Sequence, residues 1–234
     1  MAKAKAAAGA FRGFPREAMA FYVGLEADNS KAYWEAHRAV YLEAVRGPME
    51  ALIVSVDRKY QPFKIFRPNR DVRFSKNKSP YKTQTGAWSE SPGGGGWYVQ
   101  LSASGLMSAA GYYVMERDQI ARYREAVAGP TGASLARTVA KLEAAGIRVF
   151  GGGEAPLKRV PREYPAEHPR GELLKNKGLI AMVEFGDPRW VGTAEVVERL
   201  EGFWKTAAPL LTWMDKHVGA SRVLPEGARE FVRG

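Results

Sequence analysis

The chain has 234 residues, 45% of them apolar, no cysteine and a formal net charge of +10. A chain of this size buries roughly 70% of its unfolded surface, so neither disulfides nor metals are needed for stability, and the lack of cysteine excludes thiol nucleophiles and cysteine metal sites. No apolar run approaches the ~20 residues of a membrane span, so we expect a cytoplasmic protein without membrane association.

The first quarter of the chain is predicted to be helical. Pro15 suits the first turn of one helix, and Asn29 or Ser30 is a plausible N-cap for the next, whose apolar spacing covers residues 31–46. Gly47-Pro48 is predicted to end that helix and to start another.

The rest of the chain is predicted to contain strands first and then mainly helices. The pattern favours an α+β fold with a mainly antiparallel central sheet, flanked by N- and C-terminal helices. We predict one domain over residues 13–220, a basic tail over 1–12 and a polar tail over 221–234. Strands are expected at 63–66, 97–102, 106–115, 147–150 and 180–185, and helices at 117–128, 134–145, 172–177 and from Thr193 to near Gly219.

The positive charge is concentrated in one segment. Residues 59–82 hold eight cations against the single acid Asp71, and residues 1–12 hold three cations and no acid, which together make up the whole net charge. Localised positive charge attracts phosphate groups and nucleic acids, whereas a diffuse excess mainly affects solubility. Most of these cations lie in residues 66–83, here called the basic loop.

Within the basic loop, Val72 and Phe74 form an alternating pair typical of a short strand, with Asp71 and Arg73 on its other face. We expect Asp71 to orient an arginine without neutralising the patch. Residues 75–85 are predicted to be an ordered loop, since Pro80 forbids a helix there. Ser75 and Lys78 match the Ser-x-x-Lys of serine β-lactamases, but that motif needs a helix, which Pro80 breaks.

Other motifs for chemistry are weak. His37, His168 and His217 are scattered, and no metal-binding spacing is present. The glycines at 93–96 lack the Lys-Ser/Thr of a phosphate-binding loop, so we interpret them as a turn or a connection to a lid. Aromatic residues at helical spacing are predicted to be core, whereas those flanking the basic loop could stack on bases: Tyr81, Trp88 and Trp97.

The basic loop resembles the core motif of a widespread bacterial and fungal family of conserved proteins of unknown function. The motif here reads Arg70-Asp71-Val72-Arg73-Phe74-Ser75-Lys76-Asn77-Lys78-Ser79-Pro80-Tyr81-Lys82-Thr83. The similarity extends from roughly Phe14 to Gly219 and includes Asp28-Asn29-Ser30-Lys31, Tyr98-Val99-Gln100-Leu101-Ser102 and Gly111-Tyr112-Tyr113. Family members often have aspartate in place of Asn77 and glycine in place of Glu163.

The resemblance implies no activity, but it associates Lys158, Arg162 and His168 with the same signature. Two explanations stay open: these residues form the far wall of one site, or they share only common packing. Our leading hypothesis is the binding of a phosphate-bearing or other anionic ligand, with nucleic acid as one candidate. The predicted binding residues are Arg67, Arg70, Asp71, Arg73, Ser75, Lys76, Lys78, Tyr81, Lys82, Lys158, Arg162 and His168.

Two alternatives stay open. An enzyme for a small anionic substrate would hold the anion with Arg73 and Lys78, use Tyr81 or His168 as acid or base, and close a cover hinged at residues 93–96. A protein–protein adaptor would instead bind an acidic partner. The sequence sets neither a cofactor nor an oligomeric state.

Overall fold

The computed structural model describes residues 10–73 and 76–223. The helices are α1 (Arg16–Ala27), α2 (Lys31–Val40), α3 (Gly47–Ser55), α4 (Arg117–Ala128), α5 (Gly132–Ala144), α6 (Gly171–Leu174) and α7 (Glu195–His217). The strands are β1 (Lys64–Ile65), β2 (Gln84–Glu90), β3 (Gly96–Ser102), β4 (Gly105–Tyr112), β5 (Arg148–Phe150) and β6 (Leu179–Gly186).

The six strands form one sheet in the order β1-β2-β3-β4-β6-β5, and every neighbouring pair is antiparallel. The predicted α+β fold with a mainly antiparallel sheet is therefore confirmed. Consecutive strands pair from β1 to β4. Short hairpins connect β2 to β3 and β3 to β4, whereas the long basic loop connects β1 to β2, and β6 is inserted between β4 and β5. The basic loop joins the edge strand β1 to β2, so it lies at one end of this order.

The two faces of the sheet differ in what covers them. Side chains alternate between faces along each strand, and one face, here called the inner face, carries the buried Val99 and Leu101. The helices contact this face: Trp204 of α7 donates a hydrogen bond from Nε1 to Ser108 Oγ over 2.8 Å. The opposite, outer face carries half-buried side chains that include Trp88 and Tyr98.

The helical N-terminal quarter differs from the prediction at Gly47-Pro48. A π-helical turn over Tyr41–Arg46 joins α2 to α3 without a break. Pro48 has no N–H to offer the carbonyl of Ala44, and the hydrogen-bond ladder shifts so that the Gly47 N–H donates to Leu42 O, five residues back. Gly47-Pro48 therefore marks an irregular turn inside one helical rod and not the end of a helix.

Strand β2 was not predicted, because its inward positions are Thr85, Ala87 and Ser89, which give no apolar alternation. Conversely, Val72 and Arg73 are not in a strand, and Phe74, the other half of the predicted pair, lies outside the described residues. Alternating residue types therefore failed as a guide within the basic loop and in the strand that follows it.

The predicted tails 1–12 and 221–234 lie mostly outside the described residues. Within the described part, Phe11 is buried and makes an edge contact with Phe14, so the packed chain begins before residue 13. Ser221 donates a hydrogen bond to Asp118 Oδ1 over 2.7 Å, which attaches the first residue of the C-terminal tail to α4.

None of the described helices combines the length and the apolar character needed to cross a membrane.

Candidate functional site: the basic loop

The base of the basic loop is a short antiparallel ladder that extends the pairing of β1 with β2. The Arg70 N–H donates to Pro80 O over 2.9 Å, and the Lys82 N–H donates to Pro68 O over 2.8 Å. Between these two bonds, Asn69 and Tyr81 form an isolated antiparallel bridge. The loop therefore leaves the sheet as a two-stranded projection.

This base is fastened to the helices by one asparagine and one ring stack. Asn29, between α1 and α2, accepts the Tyr81 N–H at its Oδ1 over 3.0 Å and donates from Nδ2 to Tyr81 O over 3.1 Å. The Tyr81 ring stacks on Trp34 of α2, with centroids 4.3 Å apart and planes 10° apart. The amide side chain of Asn29 thus bonds Tyr81 as a neighbouring strand would.

The neighbouring residue explains why Asn29 is held in place. Ser30 caps α2, since its side chain accepts the Tyr33 N–H over 3.1 Å. Ser30 therefore starts a helix, and Asn29 fastens the basic loop. The sequence predicted the helix cap but not the contact with the loop.

The described part of the tip is ordered by contacts within the loop. Arg73 donates from Nη2 to Asp71 Oδ2 over 2.6 Å, and its backbone N–H also bonds Asp71 Oδ1 over 3.1 Å. These bonds, the side-chain one first, lower the pKa of Asp71 to about 2. Lys78 donates from Nζ to Val72 O over 3.0 Å, across the tip. Asp71 thus orients an arginine, as expected.

Lys82 and Arg67 place two cations close to each other at the base of the loop. Burial, and secondarily the positive charge of Arg67, lower the pKa of Lys82. The Lys82 ammonium lies 5.3 Å from the centroid of the Phe66 ring, a cation–π contact. Among the described residues, no carboxylate forms an ion pair with either cation, so an anion bound here would relieve their mutual repulsion.

The other predicted site residues are dispersed. Lys158, Arg162 and His168 belong to the segment after β5, the strand at the other edge of the sheet from β1. His168 Nδ1 accepts the backbone N–H of Arg170 over 3.0 Å, and the Arg170 side chain binds carbonyls at the end of α4. No described contact joins this segment to the basic loop. Ser75 lies outside the described residues.

The three predicted stacking residues have different environments. Tyr81 is only 7% exposed, because its ring is held against Trp34. Trp97 lies on the inner face, in edge contact with Tyr60 at 5.2 Å. Trp88 is half-buried on the outer face, directly opposite Tyr98 in the pairing of β2 with β3. Trp88 and Trp97 are thus both partly exposed, and of the two only Trp88 shares the outer face with Tyr98.

The glycine-rich connection is packed and does not have the form of a lid. The Ser91 N–H donates to Gly95 O over 2.7 Å, which closes the turn between β2 and β3. The hydroxyls of Ser91 and Tyr112 both donate to Asp215 Oδ1 of α7, over 2.8 and 2.7 Å. Gly93 and Gly95, two of the residues expected to hinge a cover, pack against the Tyr112 ring, beside a cleft of about 850 Å³.

Across the described part of the chain, no group of three or more His, Asp or Glu side chains is placed to hold a metal ion. The fold defines an α+β protein in which a cation-rich projection leaves one edge of an antiparallel sheet.

A family model described as conserved hypothetical protein (DUF2461) matches residues 17–213, and the chain belongs to that family. Comparison with curated proteins and with solved structures gave no match. The match covers all of the basic loop and the whole sheet.

Replacing Asn29 with alanine tests how the basic loop is fastened. We expect Asn29→Ala to lower the free energy of unfolding by about 1–3 kcal/mol, because it removes two hydrogen bonds to Tyr81. Amide hydrogen exchange should become faster at Arg70 and Lys82, the two donors of the ladder. Asn29→Asp keeps the acceptor and loses the donor, so its effect should be intermediate. Unchanged exchange in Asn29→Ala would show that the ladder and the ring stack suffice.

The Asp71–Arg73 pair predicts a definite pH response. The ordinary pKa of 3.8 falls to about 2 in the folded protein, so the ionised carboxylate stabilises the loop at and above pH 4. This contribution is lost as the pH falls from about 4 through about 2. A carboxyl ¹³C titration should show the low value, and Arg73→Gln should raise it. Equal titration curves for the two proteins would contradict the pairing.

Proposed function

We propose that the protein binds a phosphate-bearing polymer, nucleic acid in particular, through the basic loop. The observation that carries this proposal is an excess of fixed positive charge without matching acid: six cations share the loop with Asp71, which Arg73 already occupies. The six are Arg67, Arg70, Arg73, Lys76, Lys78 and Lys82. Localised charge of this kind binds phosphates and releases their counterions.

The position of the cations favours a long ligand over a small one. Arg67, Lys76 and Lys78 are exposed at the base and at the tip of the projection, so their charges are spread along it. A polymer with a phosphate at every residue can contact several such charges at once, and planar arginine groups suit bidentate phosphate contacts.

The enzyme alternative receives less support from the geometry. Its candidate acids and bases are Tyr81, which is buried against Trp34, and His168, which lies beside the opposite edge strand. Of the glycines expected to move a cover, Gly93 and Gly95 pack closely against Tyr112, and Gly93 also adjoins Asp215. An acidic partner protein would use the same charges, and the experiment below separates it from nucleic acid.

A titration of fluorescently labelled oligonucleotides at two salt concentrations tests the proposal. We expect binding that weakens steeply with salt, since each neutralised phosphate contributes about 0.9 to the slope of log K against log salt. The triple variant Arg67→Gln, Arg70→Gln, Lys76→Gln should lose at least about tenfold in affinity and reduce that slope by about 2 to 3.

The matched control is Arg137→Gln, Lys141→Gln, Lys205→Gln, which removes the same charge from exposed positions on α5 and α7. It should bind nearly as well as the parent protein. Equal losses in the two variants would mean diffuse attraction, and no binding at low salt would refute the proposal. Binding of polyglutamate as tight as that of the oligonucleotide would favour an acidic protein partner instead.

A further inference from the structure

The Tyr98 ring lies flat on the outer face of the sheet. Tyr98 belongs to β3, and a Cβ atom added to Gly86 of the neighbouring β2 would collide with its hydroxyl and its ring. The hydroxyl donates to Gln100 Oε1 over 2.9 Å, and burial raises the pKa of Tyr98. The ring thus lies across β2, where Gly86 leaves room for it, and its hydroxyl is held by a hydrogen bond. The residue is half-buried.

A second ring continues this surface towards the basic loop. The Phe66 ring, just after β1, lies 6.2 Å from that of Tyr98, with the planes 38° apart. Lys82 lies near the end of the basic loop, just before β2. Its ammonium is 5.3 Å from the centroid of the Phe66 ring. The aromatic surface and the cations therefore meet at this phenylalanine.

Trp88 extends the surface in the other direction. It pairs with Tyr98 across β2 and β3, and a Cβ added to Gly96 of β3 would lie 2.8 Å from Trp88 Cζ2. This ring too lies over a glycine of the adjacent strand. Rings that cover glycines can be purely structural, since they replace the missing side-chain packing of a sheet. A structural role alone, however, does not require them to adjoin a cluster of cations.

Charge on the outer face is distributed unevenly. At the far edge, Arg148 of β5 and Glu184 of β6 approach to 3.6 Å and offset each other. At the near edge, no described carboxylate forms an ion pair with Lys82 or Arg67, and the exposed Glu90 lies farther along β2, beyond Trp88. A negatively charged ligand is therefore drawn to the end of the face where the three rings are.

We propose that the outer face binds unpaired bases, which makes single-stranded nucleic acid the ligand class. The bases stack on Phe66, Tyr98 and Trp88, while the phosphates contact the basic loop. In a duplex the faces of the bases are covered by their neighbours, so that rings of this kind can be used only by a single strand. Every base has such a face, so we expect little sequence preference. This inference rests on the proposed function.

Affinity for a single-stranded 20-mer and for a duplex of the same length, measured by fluorescence anisotropy, tests the inference. The parent protein should bind the single strand more tightly at equal salt. Phe66→Leu, Tyr98→Leu and Trp88→Leu keep apolar bulk over the sheet but remove the rings, and each should weaken single-strand binding about fivefold or more. Duplex binding and the salt slope should hardly change.

Trp190→Leu is the matched control, since this half-buried tryptophan packs on Phe185 away from the loop and should leave the affinity unchanged. If the leucine variants lower only the melting temperature, the rings merely cover glycines and the inference is overturned. If the basic-loop variants weaken binding while the leucine variants do not, the proposed function stands without it. If no nucleic acid binds, both fall. If a leucine variant does not fold, the inference is decided by whether the parent protein binds single-stranded more tightly than double-stranded nucleic acid.

Discussion

The hydrogen-bonded contact between Asn29 and the backbone of Tyr81 is the constraint on which the rest of the site depends. Six like charges in the basic loop repel one another and favour an extended, mobile segment. Neutral contacts counteract this repulsion at the base of the loop. They are the two hydrogen bonds of Asn29, the stack of Tyr81 on Trp34 and the backbone ladder. Neutral contacts are not screened by salt, so the base of the loop is held in place without its charged groups, whereas the described part of the tip uses Arg73 and Lys78.

The consequence is a division of roles across the sheet. The inner face and the helices supply stability, as the bond between Trp204 and Ser108 illustrates. On the outer face, the rings of Tyr98 and Trp88 lie over glycines of neighbouring strands and remain partly exposed. Phe66 and Lys82 connect this face to the basic loop. This combination of cations and aromatic rings is the basis of the proposed binding of single-stranded nucleic acid.

The sequence predicted much of this fold, and for the candidate site it predicted the charge but not how the loop is attached. Helical periodicity gives α4 its observed bounds, and the charge count finds the basic loop. Strand β2 was missed because its inward residues are small or polar, and the fastening of the loop joins residues 52 apart, which no local pattern reveals. The surface formed by Tyr98 follows from strand register, which sets which residues are neighbours across the sheet.

Photo-crosslinking of a single-stranded oligonucleotide that contains 4-thiouridine, followed by mass spectrometric mapping of the adducts, tests the central claim most directly. The account predicts adducts on Phe66, Trp88 or Tyr98 and on peptides of the basic loop, and predicts that competing unlabelled single strand abolishes them. Adducts confined to the helices that cover the inner face, or to the segment after β5, would contradict it.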